Sequence, residues 1–323
     1  MPLFNNTSAH LTSFDHADMI AQYGGAVEVQ FAKDSFMREF ADVRPVRGTD
    51  TLVDRRMGRT TVKAVVEGVR PEATPTKFGK VQVTVDTIVL ARDNRSELNE
   101  LQTDFEARMR LGEDHGKELG KLFDQTFLIQ AIKGSQQSAP TGLNGAFGAG
   151  KNQTLAASGD ETDPDKFLKA IRKVLVAMQE EEIPTEEMAL IVRPTQFDVL
   201  LDNDKLVKTD FSAGNGDFAK RTLFYCAGVR IIPSARIPIA ATASGTHNLL
   251  SNANNTYAYD ITAKDAKAKA VIIHPRSLLA GETIPLTSKM YYSDIELQWF
   301  IDSYMAYGVT VNRPDLCGAV FSA

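Results

Sequence analysis

Thr103 to Gly134 reads TDFEARMRLGEDHGKELGKLFDQTFLIQAIKG, a periodic run that no proline interrupts until Pro140. Thr103 and Asp104 offer helix-capping oxygens. Phe105, Met109, Leu119, Leu122, Phe123, Phe127 and Ile132 recur at steps of three and four, the spacing of one helical face. At about 1.5 Å per residue, such a helix is a spine roughly 45 Å long. Gly112, Gly116 and Gly120 lie four apart and form a track without side chains. Each costs about 1 kcal/mol relative to alanine in a helix. Glycines merely tolerated on an exposed face are the plain alternative; a regular track points to close backbone approach along the spine.

Upstream the period changes. Val62, Ala64 and Val66 alternate along one run, and Val81, Val83 and Val85 alternate with Gln82, Thr84 and Asp86 along a second. Two such runs read as the strands of a long hairpin, with residues 68–80, rich in turn formers, between them. A two-stranded hairpin is marginal in water by itself, so this one should lean on another surface. Ile88 to Leu90 ends the second strand, and Ser96 to Leu101 descends into the spine. The first fifty residues do not read as a compact domain. Asn5 to Ser13 is polar and Gly24-Gly25 interrupts the chain. Val27, Phe31, Phe36 and Phe40 then suit a short helix resting on something else, an arm docked on a larger body.

Downstream of the spine, Gln136 to Gly159 has no period and is a loop. It contains Gly145 to Lys151 (GAFGAGK), most of a phosphate-binding loop. The mechanism of such a loop also needs a preceding strand, a following helix and a Ser or Thr for magnesium, whereas Asn152 follows here. Asp163-Pro164 is a helix start, a capping carboxylate before proline at the first helical position. Phe167, Ile171, Val174 and Met178 trace its buried face as far as Glu180 to Glu182, acids that oppose the helix dipole, and Pro184 stops it. Met188 to Val192 reads as a strand, Gln196 to Leu201 as a short helix and Gly228 to Pro233 as a strand, an α/β unit. Tyr257 to Tyr259 and Val271 to Ile273 add short strands around a helix near Lys264. Ile295, Leu297, Trp299 and Ile301 alternate, Tyr307 to Val311 continues extended, and Arg313-Pro314 leads to Cys317 to Phe321. The economical architecture is α+β, a sheet built from both ends of the chain with the α/β unit inserted.

Composition removes several function classes. The 323 residues are 43% hydrophobic and 24% charged, which is globular, and the net charge of −5 disfavours a dedicated nucleic-acid binder. No apolar run approaches the roughly twenty residues of a membrane helix, and the N-terminus lacks the features of a secretory signal. Cys226 and Cys317 read as buried reduced thiols. His10, His16, His115, His247 and His274 show no metal-ligand spacing, and neither Gly-x-Ser-x-Gly nor His-Glu-x-x-His occurs. Glu186-Glu187 sits in a hydrated stretch, where a raised carboxyl pKa is not expected. No catalytic residue, cofactor or metal is assigned, and the chain is not read as an enzyme.

The order of elements carries a resemblance. Its residues are Gly58 to Thr60, Val81 to Leu90, Leu111 to Leu119, Ala189 to Pro194, Gly228 to Pro233 and Tyr307 to Val320. In that order they resemble the major capsid proteins of tailed phages, the Hong Kong 97-type capsid fold, most closely those of T-seven-like short-tailed phages (podoviruses). The resemblance spans roughly residues 50 to 323, and the arm matches only in character.

The resemblance implies a structural protein. Residues 1–50 would be the N-terminal arm and 51–92 an extended loop lying over a neighbouring subunit. Arg70, Glu72, Lys77, Phe78 and Lys80 would make that contact. Residues 93–159 and 275–323 would form a peripheral domain with spine helix 103–134, and 160–274 an axial domain at five- or six-fold axes. The partners implied are copies of the chain in pentamers and hexamers of an icosahedral shell, a portal protein and a scaffolding protein in trans. Double-stranded DNA would be enclosed without sequence-specific binding, with no membrane, and assembly would take place in the bacterial host cytoplasm before residence in the virion capsid. Some relatives weld subunits through a loop lysine and an asparagine. Lys63, Lys77, Lys80 and Asn312 are available, but short-tailed relatives lack the bond and none is expected. The alternatives are an encapsulin-like nanocompartment shell and a nucleotide-binding enzyme using Gly145 to Lys151.

Overall fold

The computed structural model describes residues 13–68, 70, 72, 75–96, 106–207, 215–217 and 220–323. In chain order come α1 (Ser13–Asp34), α2 (Met37–Phe40), β1 (Asp42–Pro45), β2 (Thr51–Met57), β3 (Phe78–Thr84), β4 (Ile88–Ser96) and α3 (Glu106–Ser135). Next are β5 (Lys151–Thr154), α4 (Pro164–Gln179), β6 (Ala189–Val192), α5 (Pro194–Leu201), α6 (Asp204–Val207), β7 (Gly216–Asp217), β8 (Thr222–Leu223), β9 (Tyr225–Cys226) and β10 (Val229–Pro233). The last are β11 (Ala268–Ile273), β12 (Leu278–Ser293), β13 (Gln298–Val311) and β14 (Cys317–Phe321). The expected helix start at Thr103 to Phe105, the lead-in at 97–101 and the arm before Ser13 lie outside the described residues. Two compact units divide the chain, and α3, β12 and β13 contribute residues to both.

One unit takes the described parts of Met1–Phe36, Ile88–Leu122 and Ile284–Ala306. Helix α1 runs through Gly24-Gly25, which therefore does not interrupt the chain as the sequence suggested. Its Tyr23 and Val27 are buried with Ile301, against Leu111, Leu286 and Met290. Burying such side chains is worth roughly 1.5–3 kcal/mol each, enough to offset two glycines. Strand β4 pairs antiparallel with β13, from Ser96 opposite Gln298 to Ile88 opposite Ala306. Ile88 to Leu90 therefore opens a separate strand rather than ending the hairpin. Arg92 donates to both carboxylate oxygens of Asp302 at 2.7 Å. The strand expected from Ile295 begins only at Gln298, because residues 294–297 make the turn between β12 and β13 and Leu297 takes φ 51°.

The other unit takes Met37–Thr87, Phe123–Thr283 and Tyr307–Ala323. Its six-stranded sheet has the order β5-β14-β11-β6-β10-β9, with β6 parallel to β10 and antiparallel to β11. Phe167, Ile171, Val174 and Met178 of α4 share one core with Leu190, Val192, Ile272 and Val320 of that sheet. Gly318 is needed there: a methyl group on it would lie 2.7 Å from Met178 Cε and 2.8 Å from Val174 Cγ1. Asp163 caps α4, its Oδ1 accepting from the Asp165 and Lys166 amides, and Pro164 is the first helical residue. Strand β1 lies parallel to the first residues of β12. Tyr257 to Tyr259 forms turns instead of the expected strand, because the Tyr259 hydroxyl anchors it by bonding both the amide and the carbonyl of Val309. Near Lys264 there is one 3-10 turn, Asp265–Lys267, in place of a helix. Asp265 is buried there and accepts from Gln136 Nε2 at 2.6 Å. Cys226 and Cys317 are free and buried, and burial pushes both thiols up to about 12.

Candidate assembly surface

The hairpin pairs Thr51–Met57 with Phe78–Thr84, from Thr51 opposite Thr84 to Met57 opposite Phe78. Its ascending strand is therefore not the Val62 to Val66 run, which carries no strand; Val62 is 93% exposed. The true strand does alternate, but charge rather than hydrocarbon marks its inner side. Leu52, Asp54 and Arg56 are half-buried, whereas Val53, Arg55 and Met57 are exposed. Asp54 accepts from Arg44 Nη1 at 3.2 Å and from Asn312 Nδ2 at 3.1 Å. Arg56 donates to Asn312 Oδ1 at 3.3 Å and to the Val311 carbonyl at 3.1 Å, and its guanidinium lies over the Phe147 ring. Burial lowers the Arg56 pKa from its ordinary value. Charged residues on the inner side are thus satisfied by groups some 250 positions away.

The loop end of the ladder is held tightly. The Gly58 amide donates to the Lys77 carbonyl at 2.7 Å, and a methyl group on Gly58 would meet the Lys77 and Leu143 carbonyl oxygens at 2.9 Å. Gly79 lies under Leu143 in the same way, at 3.1 Å from Cδ2. Arg70, Glu72, Lys77, Phe78 and Lys80 are all exposed, Phe78 at 73%. Lys63 Nζ donates to the Glu72 carbonyl at 3.0 Å. On the outward face Met57 stands opposite Phe78, and Arg55 opposite Lys80. Like charges directly opposite are destabilising, and neither cation has a carboxylate partner among the described residues. The outward face is therefore apolar and basic.

In the first unit, α1 lies along the glycines of α3. A methyl group on Gly116 would fall 2.6 Å from the Val27 carbonyl oxygen, and one on Gly112 3.2 Å from that of Tyr23. On Gly120 the nearest atoms are at 3.6 Å. Beside this track, the buried Tyr23 hydroxyl sits 2.7 Å from His115 Nδ1 and 2.6 Å from Ser303 Oγ. Burial pushes that hydroxyl up to about 12 and lowers the His115 pKa.

The Gly145 to Lys151 segment does not have the surroundings of a phosphate loop. Lys151 opens strand β5, parallel to β14, instead of preceding a helix, and its ammonium pairs with Glu181. Gly145, Ala146 and Gly148 line a groove with Glu180, Glu181, Glu182 and Asp315, and the two arginines in it are already paired, Arg59 with Glu182 and Arg313 with Asp315. Among the described residues no group of three or more His, Cys, Asp or Glu side chains is placed to hold a metal, and no helix is long and apolar enough to cross a membrane.

No protein-family model and no curated protein matches the chain. Solved structures do. The chain is similar to one in the asymmetric unit of the bacteriophage PhiM1 mature capsid, with 32% identity and a TM-score of 0.78, over 90% of this chain and 87% of that one. The capsid of cyanophage P-SCSP1u gives a TM-score of 0.76 at 17% identity, over 90% and 88%. The virus-like particle from Pyrococcus furiosus gives 0.53 at 13%, over 93% and 98%. The last two likenesses are of fold alone.

Proposed function

Because this chain belongs to the tailed-phage major capsid proteins of the Hong Kong 97-type fold, which form icosahedral shells, we propose that its hairpin is the element that joins subunits. The single observation that carries the shell function is 32% identity to a mature phage capsid over 90% of the chain. What supports the hairpin as the joint is its outward face. Met57, Phe78 and Val53 are apolar and exposed, and Arg55 and Lys80 repel one another with no carboxylate partner among the described residues. Covering one such apolar side chain is worth roughly 1.5 kcal/mol or more, and an acidic neighbour would relieve the repulsion. Arg70, Glu72, Lys77, Phe78 and Lys80 are the proposed contact residues. The proposed division is 1–50 as arm, 51–92 as extended loop, 93–159 with 275–323 as peripheral domain, and 160–274 as axial domain. The glycine track of α3 serves to seat α1, whose backbone approaches Gly116 most closely.

The same reading assigns partners. A scaffolding protein acts in trans, a portal protein occupies one vertex, and double-stranded DNA is enclosed without sequence-specific contacts, in a short-tailed phage of the T-seven-like kind. Assembly proceeds in the host cytoplasm. The test is negative-stain microscopy of the expressed chain with and without its phage's scaffolding protein. Closed shells are expected. A small oligomer at every concentration, with measurable nucleotide affinity, would defeat the reading, and shells filled with an enzyme instead of DNA would favour a nanocompartment.

A further inference from the structure

The outer side of α4 carries a charge pattern that its own unit does not explain. Lys169, Arg172 and Lys173 are exposed, and at spacings of three and four residues they crowd three like charges on one helix face. None of them has an ion pair or side-chain hydrogen bond among the described residues. Val176, 49% exposed, follows them, and then Glu180, the C-cap of the helix. An acid there faces the negative end of the helix dipole, and Glu180 too has no side-chain partner among the described residues. Cations and acid cannot relieve each other within the subunit. Lys173 and Glu180 are seven residues apart, about 10 Å along the helix axis, which is about one Debye length at moderate salt.

These side chains line a groove of about 610 Å³, with Leu168, Val176 and Ala177 as its apolar part and the Lys205–Asp165 ion pair at the far end. An apolar centre with a charged rim is the anatomy of a protein interface. Lys169 and Lys173 also line a second groove of about 460 Å³ and so stand as a ridge between the two. The acidic turn after α4 offers the complement: Glu180 and Glu186 are both exposed, and neither has an ion pair among the described residues.

We propose that the α4 groove is an interface between copies of this chain, in which Lys169, Arg172 and Lys173 of one subunit receive the acidic turn beginning at Glu180 of another. The occupant is a second copy because the complementary charge is on the same chain, and because that chain forms shells of many copies. The proposal rests on the shell-forming reading. Each half is unfavourable in the free subunit, and the contact relieves both.

The experiment is a charge swap on the full chain, scored as the fraction of subunits sedimenting as particles with scaffolding protein present. Reversing the stripe (Lys169→Glu, Arg172→Glu, Lys173→Glu) should lower that fraction at least tenfold, as should Glu180→Lys with Glu186→Lys. Combining the two sets should restore most of it. All five side chains are exposed, so circular dichroism of the free subunits should be unchanged, and a neutral set (Lys169→Gln, Arg172→Gln, Lys173→Gln) should give an intermediate loss. Wild-type shells with an indifferent stripe variant would overturn this pairing and leave the shell reading intact. Failure of the combined set to rescue would overturn it as well. A stripe variant that assembles normally yet holds less DNA would assign the groove to nucleic acid instead. A wild-type chain that forms no shells would defeat the underlying reading and the pairing with it.

Discussion

Gly116→Ala adds a single methyl group, and the structure says where it goes: 2.6 Å from the Val27 carbonyl oxygen, 3.1 Å from Gln30 Cβ and 3.2 Å from the Phe31 amide nitrogen. The nearest atom belongs to the backbone of α1, so no side chain can rotate aside and the two helices must separate. A gap opened by about 0.5–1 Å forfeits a quarter to a half of each dispersion contact across it, including those of Tyr23 and Val27 with Leu111. Overpacking of this kind costs about 1–3 kcal/mol, while alanine gains about 1 kcal/mol of helix propensity. The expected balance is a net loss of about 1 kcal/mol, larger for Gly116→Leu. Gly120→Ala is the internal control, because its methyl group would meet nothing closer than 3.6 Å and should keep most of the propensity gain. The assay is thermal and denaturant unfolding of the free subunit, with amide exchange read over 20–34. The two alanine variants should move in opposite directions, by about 2 °C or less per kcal/mol in a chain of this size. If Gly116→Ala stabilises as much as Gly120→Ala, close packing at the track is the wrong account of these glycines.

Amides of 60–68, which carry no strand, should exchange rapidly in free subunits and slowly in shells, with those of 106–132 protected in both; equally rapid exchange in the two states would mean that this segment meets no neighbour. Phe78→Ser with Lys80→Glu should leave subunit stability within about 0.5 kcal/mol, as surface changes do, but reduce particle yield severalfold by sedimentation. Burial holds His115 and His274 below the usual histidine range, so neutral imidazole is the folded form. Their contribution is then present above the unfolded value near 6.5 and is lost as pH falls through the lower folded values. Denaturant midpoints should therefore drop as pH falls below the ordinary histidine value near 6.5, and less steeply in His115→Gln; an identical slope would show that His115 does not contribute. Mature shells should run as monomers on a denaturing gel, since Asn312 is held on both sides, by Arg56 and by Asp54, and a covalent ladder would refute this.

What the sequence determined by itself is what repeats within a few residues. The apolar spacing of α3 and α4, the Asp163-Pro164 start and the apolar run of β6 each report a local period or cap, and each element appears close to its expected bounds. The overall order of those elements was also legible, which is why the capsid fold could be named from residues alone. Tertiary structure decided everything that depends on a distant partner. Thr51–Met57 has no hydrocarbon alternation, because its inner side is charged, and only Asn312 and Arg44, brought beside Asp54, make that side satisfiable. The Val62 to Val66 run has the better local pattern and no strand. Ile88 to Leu90 looked like the end of a hairpin until β13, some two hundred residues on, supplied a different neighbour. Gly24-Gly25 looked like a break until α1 gained a buried face to hold it helical. A local period records which side chains are buried in oil, whereas a polar strand or a glycine-bearing helix is stabilised by groups far along the chain, and those meet only when it has folded.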